Sequence, residues 1–163
     1  ALAVSRELDC DFDPGQQLSL NLPKGRSRSL SIGNLNILDE TYNASPEAVM
    51  ASLKLLIAKE GRHFAVLGEM LELGEHSLKL HRRVIKEAIN IGITGLILVL
   101  DSLESDLIKD DLDQIAFSAI VSTPEEALFP ILSWIQPGDV VLLKGSRSIG
   151  IEKLIPLLEQ ELS

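Results

Sequence analysis

A chain of 163 residues, 45% of them hydrophobic but only 4% aromatic, is long enough to bury one aliphatic core without disulfide or metal staples. Its formal net charge of −9 argues against a general nucleic-acid surface, which needs extensive Lys/Arg clusters for phosphate neutralisation; Lys24, Arg26 and Arg28 lie close together but are few. No apolar run approaches the ~18–20 residues of a membrane span, no signal peptide is visible, and the lone Cys10 excludes an intrachain disulfide and fits a reducing compartment.

The chain opens ALAVSRELD, a helical fragment with neither Met nor N-cap, so residues 1–17 read as the remnant of a preceding domain or linker. Residues 18–163 then form one domain. Pro14, Gly15, Pro23 and Gly25 break any periodicity before the first strand. Residues 28–32 and 36–39 read as two short strands, with Gly33-Asn34 supplying the positive φ of a hairpin turn. Ser45-Pro46 is an N-cap followed by proline at the first helical position. Val49, Leu53, Leu56 and Ile57 make the apolar face of that helix, and Gly61 is its expected C′ residue.

Strands and helices then alternate. Strands are expected at 64–67, 96–100, 119–121 and 140–143, and helices at 77–91, 103–109 and 151–162. The first of these helices turns Leu80, Val84, Ala88 and Ile91 inward, and a capping box at 123–126 (TPEE) opens one more. Pro130 and Pro156 fall inside helical patterns and predict kinks or offset starts. The four later strands are continuous apolar runs, the pattern of strands covered on both faces. The fold class is therefore α/β: a Rossmann-like, three-layer domain with a mostly parallel sheet of about six strands, helices on both faces and an antiparallel hairpin at the N-terminal edge.

In such a sheet ligands bind beyond the carboxyl ends of the strands, which selects five loops; those at 101–104 and 122–124 read as ordinary caps, and three are chemically rich. Asp39, Glu40, Thr41, Tyr42 and Asn43 suit a ribose and a base, and equally suit plain capping of the helix that follows. Gly68 permits close backbone approach, and Glu69, Glu72, Glu75 and His76 suit a cation or an amine, or are simply solvated acids. Their spacing matches no metal-ligand set, and His76 and His81, five apart, share no helical face. Lys144, Gly145, Ser146 and Arg147 run into the last helix, where charge and backbone N–H groups suit a phosphate or a carboxylate. The order is not that of a P-loop, whose glycines precede its lysine. No G-x-S-x-G elbow or Cys–His pair is present, so half a site is legible.

Taken together, PKGR (23–26), DETYNASP (39–46), GEMLELGEHS (68–77) and LLKGSR (142–147) resemble the ordered motifs of the C-terminal domain of the Mur ligases. Within that family they are most similar to the branch that adds D-alanyl-D-alanine to UDP-N-acetylmuramoyl-tripeptide. Glu40, Ser45 and Glu69 depart from the family's Asp, Asn and Asp, and Ile149-Gly150-Ile151 stands where a Met is common.

The resemblance implies an ATP-dependent amide-bond ligase of peptidoglycan-precursor synthesis in the cytoplasm, in which an acyl phosphate on the tripeptide is attacked by the dipeptide amine. It implies ATP and Mg2+ as cofactors. The P-loop and magnesium ligands are expected in the chain's own missing central domain, beside a missing N-terminal domain that holds the UDP-sugar. By resemblance Arg26 approaches the ATP phosphates, Asp39 or Glu40 the ribose, and Tyr42 and Asn43 the nucleoside. Gly68, Glu69, Met70, Glu72, Lys144, Ser146 and Arg147 receive the dipeptide. Lys144 is the catalytic candidate, no metal ligand is expected in this domain, and the fragment alone is expected to be inactive. Rival readings are another amino-acid-adding or folylpolyglutamate synthase-like ligase, or a non-catalytic nucleotide-binding or receiver-like module with Asp101 as its phosphorylatable acid.

Overall fold

The structure is a computed structural model that describes residues 25–162 apart from Asp101. Residues 1–17, Cys10, Pro23, Lys24 and the Asp101 of the receiver-like reading lie outside the described residues. Among the described residues six strands form one sheet in the order β1-β2-β6-β3-β4-β5, where β1 is Arg28–Ile32, β2 Leu35–Glu40, β3 His63–Gly68, β4 Gly95–Val99, β5 Phe117–Val121 and β6 Val140–Lys144. Only β1 and β2 pair antiparallel, and every other ladder is parallel. The hairpin turn needs just one residue of positive φ, Gly33 at +56°.

Helices cover both faces, as the continuous apolar strands require. α1 (Pro46–Ile57), α2 (Ser77–Asn90) and α3 (Ser102–Ile108) share one core with Ala65, Leu67, Leu96, Leu98 and Leu142. α4 (Leu128–Trp134) and α5 (Leu154–Leu162) pack on the opposite face against Phe64, Val66, Ile97, Val141 and Leu143. Successive residues of β3 thus enter opposite cores, and each fully buried Leu, such as Leu53, Leu56 or Leu142, contributes about 1.5–3 kcal/mol. β5 departs from the expectation. It lies at the sheet edge and is only half-buried.

Other differences have equally local causes. α1 ends at Ile57 with Ala58 as its cap, so Gly61 is not its C′ residue. Gly61 (φ +108°) instead permits a close approach, since a Cβ there would lie 2.3 Å from the Gly138 carbonyl oxygen. The buried face of α1 takes Ser52 in place of Ile57, and Ser52 Oγ donates to Ala48 O within the helix (3.0 Å), which satisfies its hydroxyl and lowers the cost of burying it. On α2 the buried stripe is His81, Val84, Ile85 and Ala88, with Leu80 and Ile91 only half-covered. The capping box closes on one side: Glu126 N donates to Thr123 Oγ1 (3.4 Å), but the Glu126 carboxylate reaches Ser122 N (2.9 Å), not Thr123 N. Pro130 and Pro156 are each the third residue of a helix preceded by a 3₁₀ turn, positions where the missing N–H breaks no bond.

Candidate functional site

The strand order reverses between β3 and β6. From β3 the chain steps outward through β4 to β5, and then returns to lay β6 between β3 and β2. The carboxyl ends at such a reversal open a crevice. The ladders set Lys144 opposite Glu40 on one side and opposite Leu67 on the other, so Glu40, Lys144 and Gly68 gather on one rim. A Cβ on Gly145 would lie 3.1 Å from Gly68 Cα and 2.7 Å from Ile151 Cγ1. Two loops therefore meet backbone to backbone, which only glycines allow.

The loop after β2 is built around a buried acid. Asp39 accepts from Thr41 N (3.2 Å) and Thr41 Oγ1 (2.7 Å) through Oδ1, and from Gly25 N (3.2 Å) through Oδ2. Tyr42 N closes the same turn on Gly25 O (2.9 Å). Asp39 thereby fixes where Arg26 leaves the chain. Glu40 is half-buried and accepts from Ser27 Oγ (3.0 Å). Asn43 folds its side chain onto Ala44 N (2.8 Å), and Ser45 caps α1 by accepting from Ala48 N (3.3 Å). Exposed at the rim are Arg26, Tyr42 and Asn43. The Arg26 guanidinium stands 3.9 Å and that of Arg147 5.3 Å from the centre of the Tyr42 ring. Two cations from distant parts of the chain thus converge on one aromatic ring.

Lys144 is buried, and its ammonium donates to Asn43 O (2.9 Å) and Glu40 O (3.5 Å), with Glu40 Oε2 at 3.9 Å. Burial lowers its pKa below the ordinary lysine value, and the Glu40 charge opposes that shift. Its charge ties β6 to the loop after β2. Ser146 makes the matching tie on the other side: its N donates to Glu69 O (3.3 Å) and its Oγ accepts from Leu71 N (2.9 Å). Arg147, in the turn that follows, is exposed.

The loop between β3 and α2 is held at several points. Glu69 N donates to Val99 O (3.0 Å), the Met70 side chain is buried, and Met70 N donates to His81 Nε2 (3.1 Å). Glu72 is exposed with φ +64°, a conformation few non-glycine residues adopt. Glu75 and His76 point to solvent, while His81 lies inside α2. Among the described residues no group of three or more His, Cys, Asp or Glu side chains is placed to hold a metal ion. His81, set aside above as a partner of His76, is buried and holds the loop through Met70 N. Its spacing to Val84, Ile85 and Ala88 does mark it as inward-facing.

The family profile described as Mur ligase, glutamate ligase domain, matches residues 25–147. The UDP-N-acetylmuramoyl-tripeptide--D-alanyl-D-alanine ligase of Synechocystis sp. is 34% identical over 164 residues, covering 99% of this chain and 36% of the relative. The Mycobacterium leprae protein of the same name is 32% identical over 143 residues, covering 76% of this chain and 28% of the relative. The crystal structure of the MurF ligase from Thermotoga maritima in complex with ADP superposes with a TM-score of 0.83 at 33% identity. That match covers 99% of this chain and 36% of the other. The chain thus spans about a third of the length of the relatives it matches.

Proposed function

This chain belongs to the Mur ligase family, as its glutamate ligase domain, and from that premise we propose that it is the C-terminal part of an ATP-dependent ligase joining D-alanyl-D-alanine to UDP-N-acetylmuramoyl-tripeptide. The observation that carries the reading is the convergence of Arg26 and Arg147 on Tyr42, beside the crevice where Gly68 and Gly145 touch. Guanidinium groups bind phosphate and carboxylate bidentately, and both anions are present in the proposed reaction. The tripeptide carboxylate takes the terminal phosphoryl group of ATP, and the dipeptide amine then displaces phosphate from the resulting acyl phosphate.

The rim divides into two halves. Arg26 faces the ATP phosphates, and Tyr42 and Asn43 flank the nucleoside. Of the two acids expected at the ribose we assign Glu40, because Asp39 is closed onto Gly25 and Thr41. The dipeptide lies against Gly68, Glu69, Met70 and Glu72, with Arg147 at its carboxylate. Lys144 and Ser146 fix the three loops in register rather than breaking a bond themselves. The phosphate loop and the magnesium ligands come from the central domain, so this chain alone neither hydrolyses ATP nor ligates. No helix among the described residues is long and apolar enough to cross a membrane. We propose the cytoplasm as the site of the reaction, as the family resemblance implies.

An acceptor screen on the full-length ligase tests this reading. D-alanyl-D-alanine should be turned over in preference to glutamate or a diamino acid, and Arg147→Ala should raise the KM for the dipeptide without changing that for the UDP-substrate. Preference for a single amino acid would assign the chain to another branch of the family.

A further inference from the structure

We propose that His81 is a positioning residue for the amine-side loop, its buried imidazole holding residues 69–71 in the conformation that receives the dipeptide. The inference rests on the assignment of that loop to the dipeptide. Of the three histidines in the chain, His81 alone is buried, on an otherwise apolar stripe of α2. An imidazole there is costly unless both nitrogens are used. Nε2 accepts the Met70 N–H at 3.1 Å, so it carries no proton, and the proton sits on Nδ1. Nδ1 lies 3.0 Å from Ser77 O and 3.2 Å from Ser77 Oγ, in the first turn of the same helix, and donates there. Ring orientation and tautomer are thus both set by α2.

The captured amide is well placed to matter. Met70 N goes to α2 and the next amide, Leu71 N, goes to Ser146 Oγ on the far side of the loop (2.9 Å). Two consecutive N–H groups are held by two different elements. Directly after them comes Glu72 in its left-handed conformation, a strained geometry that persists only when its surroundings over-determine it. His81 and Met70 line a small cavity with Val49, Leu67, Val84, Ile85 and Leu98, whose side chains carry no hydrogen-bond acceptor. If His81 loses its acceptor, that amide must move toward water and carry the loop with it. Order present before binding lowers the cost of binding, so the loss should fall on the dipeptide and not on the nucleotide.

The test uses the full-length ligase with His81→Leu, His81→Gln and Arg147→Ala. His81→Leu should raise the dipeptide KM about tenfold, as expected for one buried amide left without its acceptor, with the nucleotide KM unchanged. His81→Gln, whose amide oxygen can take the place of Nε2, should recover most of that loss. A wild-type dipeptide KM in His81→Leu, or equal losses in the Leu and Gln variants, would overturn the positioning role. Should His81→Leu fail to fold, deuterium exchange on the wild-type enzyme decides: Met70 and Leu71 amides that exchange as fast as exposed ones overturn the proposal, and protected amides support it. Arg147→Ala separates the two levels. If it raises the dipeptide KM while His81→Leu does not, only the role of His81 falls; if neither does, the assignment of the loop to the dipeptide falls with it.

Discussion

Gly145→Ala probes the contact that brings two of the rim loops together. The added methyl would sit 2.7 Å from Ile151 Cγ1, 3.1 Å from Gly68 Cα and 3.3 Å from Gly68 N. The backbone contacts cannot rotate away, and the Ile151 side chain is buried at 1% exposure, so neither partner yields freely. Overpacking of this kind costs about 1–3 kcal/mol. Ile151→Ala alone removes buried methyl groups and costs about 2–5 kcal/mol. The double variant should be less damaged than the sum, by about 1 kcal/mol or more, because the new methyl then occupies part of the space that Ile151 vacates. Chemical denaturation of the four proteins measures the coupling directly. Additivity to within about 0.5 kcal/mol would show that Gly145 and Ile151 do not meet, and would refute the packing described for this rim.

Tyr42→Phe keeps the ring that both arginines share and should leave kcat/KM close to wild type. Tyr42→Ala removes two exposed cation–π contacts of about 0.5–1 kcal/mol each and should lower kcat/KM roughly 5- to 30-fold, measured in the full-length ligase. Equal loss in both variants would assign the effect to the phenol hydroxyl. Because burial lowers the Lys144 pKa, the folded chain binds fewer protons than the unfolded chain between that lowered value and 10.5. Lys144 therefore contributes a rise in stability as pH climbs through that window, and Lys144→Met should abolish the rise in denaturation midpoints; an undiminished rise would place the titration elsewhere. Ser146→Ala leaves Leu71 N without its acceptor and should cost about 1–3 kcal/mol of stability while raising the dipeptide KM, checked by denaturation and steady-state kinetics together.

The layered sheet was legible because its signals are local. Ala65, Val66 and Leu67 form an unbroken apolar run whose successive side chains enter opposite cores, and Ser45-Pro46 starts α1 where a cap and a first-turn proline should. The half-buried β5 was not legible, since an apolar strand reads alike at an edge and in the middle until its neighbours are known. The site divides in the same way. Arg26, Tyr42 and Arg147 could be named from motifs, but their meeting on one ring depends on β6 lying beside β2. Lys144 read as a cation for a ligand, yet its ammonium ends on the carbonyls of Glu40 and Asn43, more than a hundred positions earlier in the chain. Likewise nothing near Asp39 announces that its carboxylate turns inward to hold Gly25. Long-range pairing decides these roles, and periodicity carries no information about it.

Deuterium exchange on the full-length ligase, with and without a non-hydrolysable ATP analogue and D-alanyl-D-alanine, is the most direct measurement of whether this rim is the closing face of an active centre. Residues 40–45, 68–74 and 144–150 should gain protection together when both ligands are present. The opposite end of the sheet, where Arg62 clasps Asp139, should not change. Protection confined to that opposite end, or none at the three loops, would contradict the placement of the site.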